Sequence, residues 1–138
     1  MIIGVDFDGT ICEHTYPDIG KPIPGAIQTL KDLQEKGHLL ILWTVRGGQG
    51  LQDAVNYCKS NGIEFWGINE NPDQTKGNDD DTWEERYGIP YPEKALWSCK
   101  AHMNILIDDV ALGCPLKNGS VDWKLVRKYL EIKGILGE

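Results

Sequence analysis

The chain contains 138 residues, of which 41% are hydrophobic and 25% are charged, as is typical of one soluble globular domain. Its net charge of −7, without a run rich in Lys and Arg, argues against a nucleic acid tract as partner, because such a surface repels a phosphate backbone. No stretch approaches the roughly 18 apolar residues of a membrane span, and the first residues lack the features of a secretory signal. We therefore expect one cytoplasmic domain over 1–138, with no membrane as partner.

Strand and helix patterns alternate along the chain. Short apolar runs predict strands at 2–5, 39–43, 63–68 and 103–107. Apolar residues at helical spacing, bounded by Pro, Gly, Asn or Ser, predict helices from Pro24 to Gly37, between the loop at 47–50 and Asn61, near 81–87, near 92–98 and from Ser120 to Gly134.

The order of these elements predicts a single α/β domain, a three-layer sandwich with a central, mostly parallel sheet. Ligands of such sheets bind beyond the carboxyl ends of the strands. Residues 71–98 interrupt the alternation with three prolines, an acidic run at 79–81 and an aromatic cluster from Trp83 to Trp97. We expect this segment to form a small lid or an irregular insertion, whose aromatic residues pack internally or make a subunit contact in a homo-oligomer.

Acidic, hydroxyl and basic residues lie beside the ends of the predicted strands. Asp6 and Asp8 follow the first strand, Thr44 follows the second, and Asp108-Asp109 follows the fourth, with Lys100 shortly before it. Side chains alternate along an extended chain, so Asp6 and Asp8 are expected on one side. Carboxylates held close together repel each other unless a cation or a proton intervenes. Their oxygen atoms suit Mg²⁺, which we expect as the cofactor.

These residues carry a family resemblance. Asp6-x-Asp8-Gly9-Thr10, then Thr44, Lys100 and Asp108-Asp109, resemble in this order the four motifs of the haloacid dehalogenase (HAD) superfamily, over residues 2 to about 115. A predicted helix and strand use most of the chain between Thr10 and Thr44, so the chain looks like the small phosphatase-type members with a minimal cap or none. The resemblance implies a Rossmann-like HAD fold without a large cap domain, and a Mg²⁺-dependent hydrolase of phosphomonoesters.

The resemblance also implies a role for each matched residue. Asp6 looks like the nucleophile that forms an aspartyl-phosphate, and Asp8 like the general acid and then the base. Thr44 resembles the residue whose hydroxyl binds the phosphoryl oxygens together with nearby backbone N–H groups. Lys100 resembles the lysine that stabilises the nucleophile and the phosphate. Further expected contacts of the small phosphorylated substrate are Gly9, Thr10, Val45 and Arg46. His14 and Tyr16 lie in a segment that forms a flap in this superfamily, and here they either touch the substrate or belong to a solvated loop.

Three assignments stay open in the sequence. Mg²⁺ would be held by Asp6, by the backbone carbonyl of Asp8 and by an acid of the Asp108-Asp109 pair, in which Asp109 matches the metal-binding Asp of the family and Asp108 replaces a Gly. Lys94 is the alternative to Lys100. Arg46 either clamps a substrate anion with two hydrogen bonds or is an ordinary surface arginine.

Other functions compete with hydrolysis. A phosphotransferase of the same superfamily would pass the phosphoryl group to a sugar hydroxyl, and a catalytically silent protein would only bind Mg²⁺ or phosphate. A response-regulator receiver also has an acidic pair, a threonine and a lysine, but its acidic pair comes early and its lysine last. Here the pair Asp108-Asp109 follows Lys100, and this order excludes the receiver.

Overall fold

The computed structural model describes residues 1–76, 88 and 100–137. Its strands are β1 (Ile2–Val5), β2 (Leu39–Leu42), β3 (Gly67–Ile68), β4 (Ile105–Ile107), β5 (Leu116–Lys117) and β6 (Ser120–Val121). Its helices are α1 (Ala26–Glu35), α2 (Gly48–Ser60), α3 (Pro72–Lys76) and α4 (Trp123–Ile132). No helix within these described residues is both long enough and apolar enough to cross a bilayer.

Four strands form a parallel sheet in the order β3-β2-β1-β4. The chain places β2 and then β3 on one side of β1, and it returns to place β4 on the other side. The strand order therefore reverses between β1 and β4, and a crevice opens beyond the carboxyl ends of strands at such a point. The predicted α/β fold with a central parallel sheet is confirmed.

One hydrophobic cluster covers a face of this sheet. Ile3 and Val5 of β1 and Leu40 and Leu42 of β2 are almost fully buried and pack with apolar residues of α1, α2 and α4. Gly4, which lies between Ile3 and Val5, points to the opposite face because side chains alternate along a strand. There the side chain of Met103 occupies the space that a Cβ of Gly4 would need. Side chains thus pack against β1 on both faces of the sheet.

The segment after β4 differs from its prediction. Ser120 does not cap the final helix: it lies in β6, which pairs with β5 in an antiparallel hairpin. Asn118 and Gly119 form the hairpin turn with φ angles of 54° and 82°, the positive values that a tight two-residue turn needs. The N-cap of α4 is Asp122, whose side chain accepts hydrogen bonds from the first turn of the helix.

The outer strands are shorter than predicted. Only Gly67–Ile68 of the predicted strand at 63–68 pairs with β2, and β4 covers only Ile105–Ile107 of the predicted strand at 103–107. The predicted helices near 81–87 and 92–98, with the aromatic cluster, lie outside the described residues. Within the expected lid at 71–98, Pro72–Lys76 forms the short helix α3.

Candidate active site

A cleft of about 720 Å³ opens beyond the carboxyl ends of the central strands. Six of the predicted site residues line it: Asp6, Asp8, Thr44, Val45, Asp108 and Asp109. The backbone N–H of Asp6 donates to the carbonyl of Ile107 at 2.9 Å, and this bond extends the pairing of β1 with β4 to the rim of the cleft. The parallel sheet thus brings together acids that are about a hundred residues apart in the chain.

Three carboxylates form a cluster on the floor of this cleft. Asp6, Asp108 and Asp109 each offer an oxygen, and these oxygens lie within 4.8 Å of one another. Burial, followed by the charge of Asp108, raises the pKa of Asp6 from 3.8 to about 7. Burial and the adjacent Asp109 carboxyl likewise raise the pKa of Asp108. The cluster is therefore electrostatically unfavourable when it is fully ionised and has no cation.

This donor set is suited to a hard divalent cation. All three side chains offer hard oxygen ligands, which Mg²⁺ prefers over nitrogen or sulfur. Asp108 and Asp109 both contribute an oxygen to the cluster, so both stay candidates for the metal ligand. A divalent cation would also offset the burial and the charge of Asp108 that raise the pKa of Asp6.

Thr10 connects two members of this carboxylate cluster. Its hydroxyl donates to Asp6 Oδ2 at 2.9 Å and accepts a hydrogen bond from the backbone N–H of Asp109 at 3.2 Å. Thr10 is fully buried, and its carbonyl accepts from Trp123 Nε1 at 2.6 Å. In this structure Thr10 therefore supports the carboxylates and is not open to a substrate, in contrast to the expected substrate contact.

Gly9 has a related steric role. Its φ of 81° is favourable only for glycine, and the carboxylate of Asp109 occupies the position that a Cβ would take. Gly9 is buried and does not line the cleft. The glycine of the first motif thus makes room for an acid of the fourth motif, and a direct substrate contact was expected instead.

Arg46 is neither a surface arginine nor a free clamp for substrate. Its side chain has 0% exposure. Nε and Nη2 each donate a hydrogen bond of 2.7 Å to the carboxylate of Asp8. Nη1 donates to the carbonyls of Pro17 and Gly50, and Nη2 also donates to the carbonyl of Asp18. These contacts use all five N–H donors of the guanidinium group, so none is left for an anion.

Arg46 also fixes the segment that follows the first motif. Its guanidinium carbon lies 5.1 Å from the centroid of the Phe7 ring and 5.0 Å from that of the Tyr16 ring, within the range of cation–π attraction. Tyr16 and His14 of this segment, which we call the flap (residues 13–18), line the cleft. A single buried cation therefore ties this flap to Asp8.

Thr44 is oriented from two sides. Its hydroxyl accepts the backbone N–H of Arg46 at 3.1 Å, and its own backbone N–H donates to Asn69 Oδ1 at 2.8 Å. Asn69 follows β3, lines the same cleft and was not among the predicted site residues. Its place directly after a predicted strand is the same signal that identified Asp6 and Thr44.

The predicted lysine does not line the cleft either. Lys100 is exposed and is not among the residues that line the cleft. Its backbone carbonyl accepts from Gln74 Nε2 at 3.3 Å, which places this part of the chain beside α3. Lys94, the alternative, lies outside the described residues. The catalytic lysine stays a prediction.

Comparison with known proteins adds a structural relative. No protein-family model and no curated protein matches the chain. The solved structure of a conserved protein from Bacteroides thetaiotaomicron is similar, with a TM-score of 0.68 and 39% sequence identity over 97% of this chain and 90% of that chain. Identity at this level over nearly the whole length supports a shared fold.

Proposed function

We propose that this chain, which belongs to the same family as the conserved Bacteroides thetaiotaomicron protein, is a Mg²⁺-dependent phosphomonoester hydrolase of the HAD superfamily. The observation that carries the proposal is the convergence of Asp6, Asp108 and Asp109 within 4.8 Å, in a cleft that also contains Asp8 and Thr44. This set supplies a nucleophile, a cation site and a hydroxyl donor, which are the parts that phosphoryl transfer needs.

Asp6 would attack phosphorus with a carboxylate oxygen, form an aspartyl-phosphate and break the bond from phosphorus to the leaving oxygen. The Thr10 hydroxyl holds Oδ2 of Asp6 and so restricts rotation of the nucleophile. Thr44 uses its hydroxyl oxygen as an acceptor for Arg46 N–H, so its own proton is free to bind a phosphoryl oxygen. Bound Mg²⁺ would neutralise the negative charge on the carboxylates and on the phosphoryl oxygens.

Asp8 would protonate the leaving oxygen and then activate the water that cleaves the acyl phosphate. Both of its oxygens accept from Arg46 at 2.7 Å in this structure, which is the arrangement of an anion. Transfer of a proton by Asp8 would therefore use the second lone pair of one of these oxygens and would weaken its hydrogen bond to Arg46. Arg46 also donates to the carbonyls of Pro17 and Asp18, so it holds Asp8 and the flap in one arrangement.

The test of this function is release of inorganic phosphate from phenyl phosphate, with Mg²⁺ and with EDTA. We expect turnover that depends on Mg²⁺ and returns when Mg²⁺ is added in excess of EDTA. Folded protein that binds Mg²⁺ but releases no phosphate from phenyl phosphate or from a panel of metabolite phosphates would contradict the proposal.

The carboxylate cluster also predicts how the stability of the metal-free protein depends on pH. The pKa of Asp6 is raised to about 7 in the folded protein, so the folded state binds more protons than the unfolded state between pH 4 and pH 7. The free energy of unfolding therefore decreases as the pH rises through this window. We expect a lower melting temperature at pH 8 than at pH 5 in EDTA, and a larger increase on addition of Mg²⁺ at pH 8.

Asp6→Asn is the control for this pH effect, because an amide does not titrate. Its melting temperature should change less between pH 5 and pH 8 than that of the unsubstituted protein. An identical pH dependence in the two proteins would show that Asp6 is not the group responsible.

A further inference from the structure

We propose that Asn69 determines specificity: its side-chain amide donates a hydrogen bond to a neutral oxygen of the leaving group, so the preferred substrates are phosphate monoesters with hydroxylated, uncharged leaving groups. This inference rests on the proposed function, and it names the class of substrate that the same cleft would take.

The hydrogen bonds of Asn69 fix the direction of its amide. The backbone N–H of Thr44 can only donate, so the side-chain atom at 2.8 Å from it is the oxygen Oδ1. The two N–H donors of Nδ2 have no partner within the described part of the chain. Asn69 is exposed and lines the cleft, so these donors are accessible to a ligand.

The backbone of Asn69 is fixed as well. Its N–H donates to the carbonyl of Leu42 at 2.8 Å, and its φ of 53° lies in the left-handed region, which Asn tolerates better than most residues. The side chain is therefore held at the rim by its own backbone and by Thr44, and it needs little reorganisation to bind a substrate.

The strand order decides which part of the substrate Asn69 can reach. Asp6 follows β1, Thr44 follows β2 and Asn69 follows β3, and these strands are neighbours in this order. Adjacent strands are about 4.8 Å apart, so Asn69 lies roughly 10 Å from Asp6 across the sheet. Asn69 is next to Thr44, and a phosphoryl group on Asp6 would lie on the other side of Thr44 from it. Its donors are thus available to the group esterified to that phosphate.

The surrounding walls favour a leaving group without charge. Trp43 and Val45, the chain neighbours of Thr44, line the cleft, and Val45 is largely exposed. The carboxylates of Asp6, Asp108 and Asp109 line the cleft, and those that a bound cation does not neutralise would repel a second anionic group on the substrate. An uncharged leaving group with both apolar surface and hydroxyl oxygens can pack on the apolar lining and accept a hydrogen bond from the Asn69 amide.

Two substitutions separate substrate contact from support of Thr44. Asn69→Asp keeps an acceptor for the Thr44 N–H and tolerates the left-handed backbone, but it lacks the N–H donors. Asn69→Gly accepts the backbone without strain and lacks both functions. We would measure kcat/KM for phenyl phosphate and for glycerol 1-phosphate, ribose 5-phosphate and uridine 5′-monophosphate. We would divide kcat/KM for each hydroxylated substrate by kcat/KM for phenyl phosphate. This ratio cancels any effect that the charge introduced by Asn69→Asp has on the phosphoryl group, which all these substrates share.

In the unsubstituted protein, kcat/KM should be about 10-fold higher for at least one hydroxylated substrate than for phenyl phosphate. In both variants this ratio should decrease by about 10-fold. An Asn69→Asp variant that keeps the preference, with Asn69→Gly impaired equally on all esters, would show that Asn69 only supports Thr44 and would overturn the inference. Hydrolysis of phenyl phosphate without any such preference would overturn the inference alone. No hydrolysis of any ester would overturn the proposed function together with it.

Discussion

Asp6→Asn will reduce the Mg²⁺-dependent release of phosphate from phenyl phosphate by about 1,000-fold or more, because a neutral amide cannot attack phosphorus as a carboxylate does. The amide has almost the same shape, and its oxygen can still accept the Thr10 hydroxyl that holds Oδ2 at 2.9 Å. The substitution also removes a carboxylate whose burial and charged neighbour raise its pKa. The fold should therefore be kept, and the loss should appear in kcat.

Asp53→Asn is the matched control, since Asp53 is exposed on α2, accepts from Gln49 and does not line the cleft. It should retain activity within about twofold. An acyl phosphate on Asp6 is expected in the unsubstituted protein after rapid quenching, as chain-bound phosphate that hydroxylamine releases, and it should be absent from Asp6→Asn. Turnover that survives in Asp6→Asn would refute Asp6 as the nucleophile.

The parts of this site that the sequence predicts follow from one rule of topology. Parallel strands end at the same edge of a sheet, so polar residues directly after predicted strands are expected to meet there. Asp6, Thr44 and Asp109 all follow strands in this way and all line the cleft. Asn69 follows the rule too, although β3 has only two paired residues and the strand is therefore a weak signal.

Long-range contacts of side chains are the part that the sequence does not predict. Arg46 and Asp8 are 38 residues apart, and no periodic pattern indicates that the arginine turns inward and uses every donor. The role of Thr10 also depends on contact with Asp109, 99 residues away. Near the end of the chain two local signals compete: Ser120 suits a helix cap, whereas Asn118-Gly119 suits a tight turn, and the turn determines the structure.

Arg46→Met will destabilise the folded protein by about 3–5 kcal/mol, because it leaves the Asp8 carboxylate buried without its counter-charge. Asp8 is only 9% exposed, so water from the cleft replaces only part of the two hydrogen bonds that Arg46 supplies. The variant also lacks the donors to Pro17, Asp18 and Gly50, so the flap should become easier to cleave by protease. Unfolding in urea measures the first effect, and the rate of limited proteolysis at 13–18 measures the second.

Two further variants separate the ion pair from the loss of packing. Arg127→Met removes an arginine that is 35% exposed and pairs with Asp32 and Glu131, so it should cost less than about 1 kcal/mol. Combining Arg46→Met with Asp8→Asn should recover part of the stability, since an amide needs no counter-charge. Equal losses in the Arg46 and Arg127 variants would contradict a buried ion pair. A double variant no more stable than Arg46→Met alone would assign the loss to packing and to the flap carbonyls.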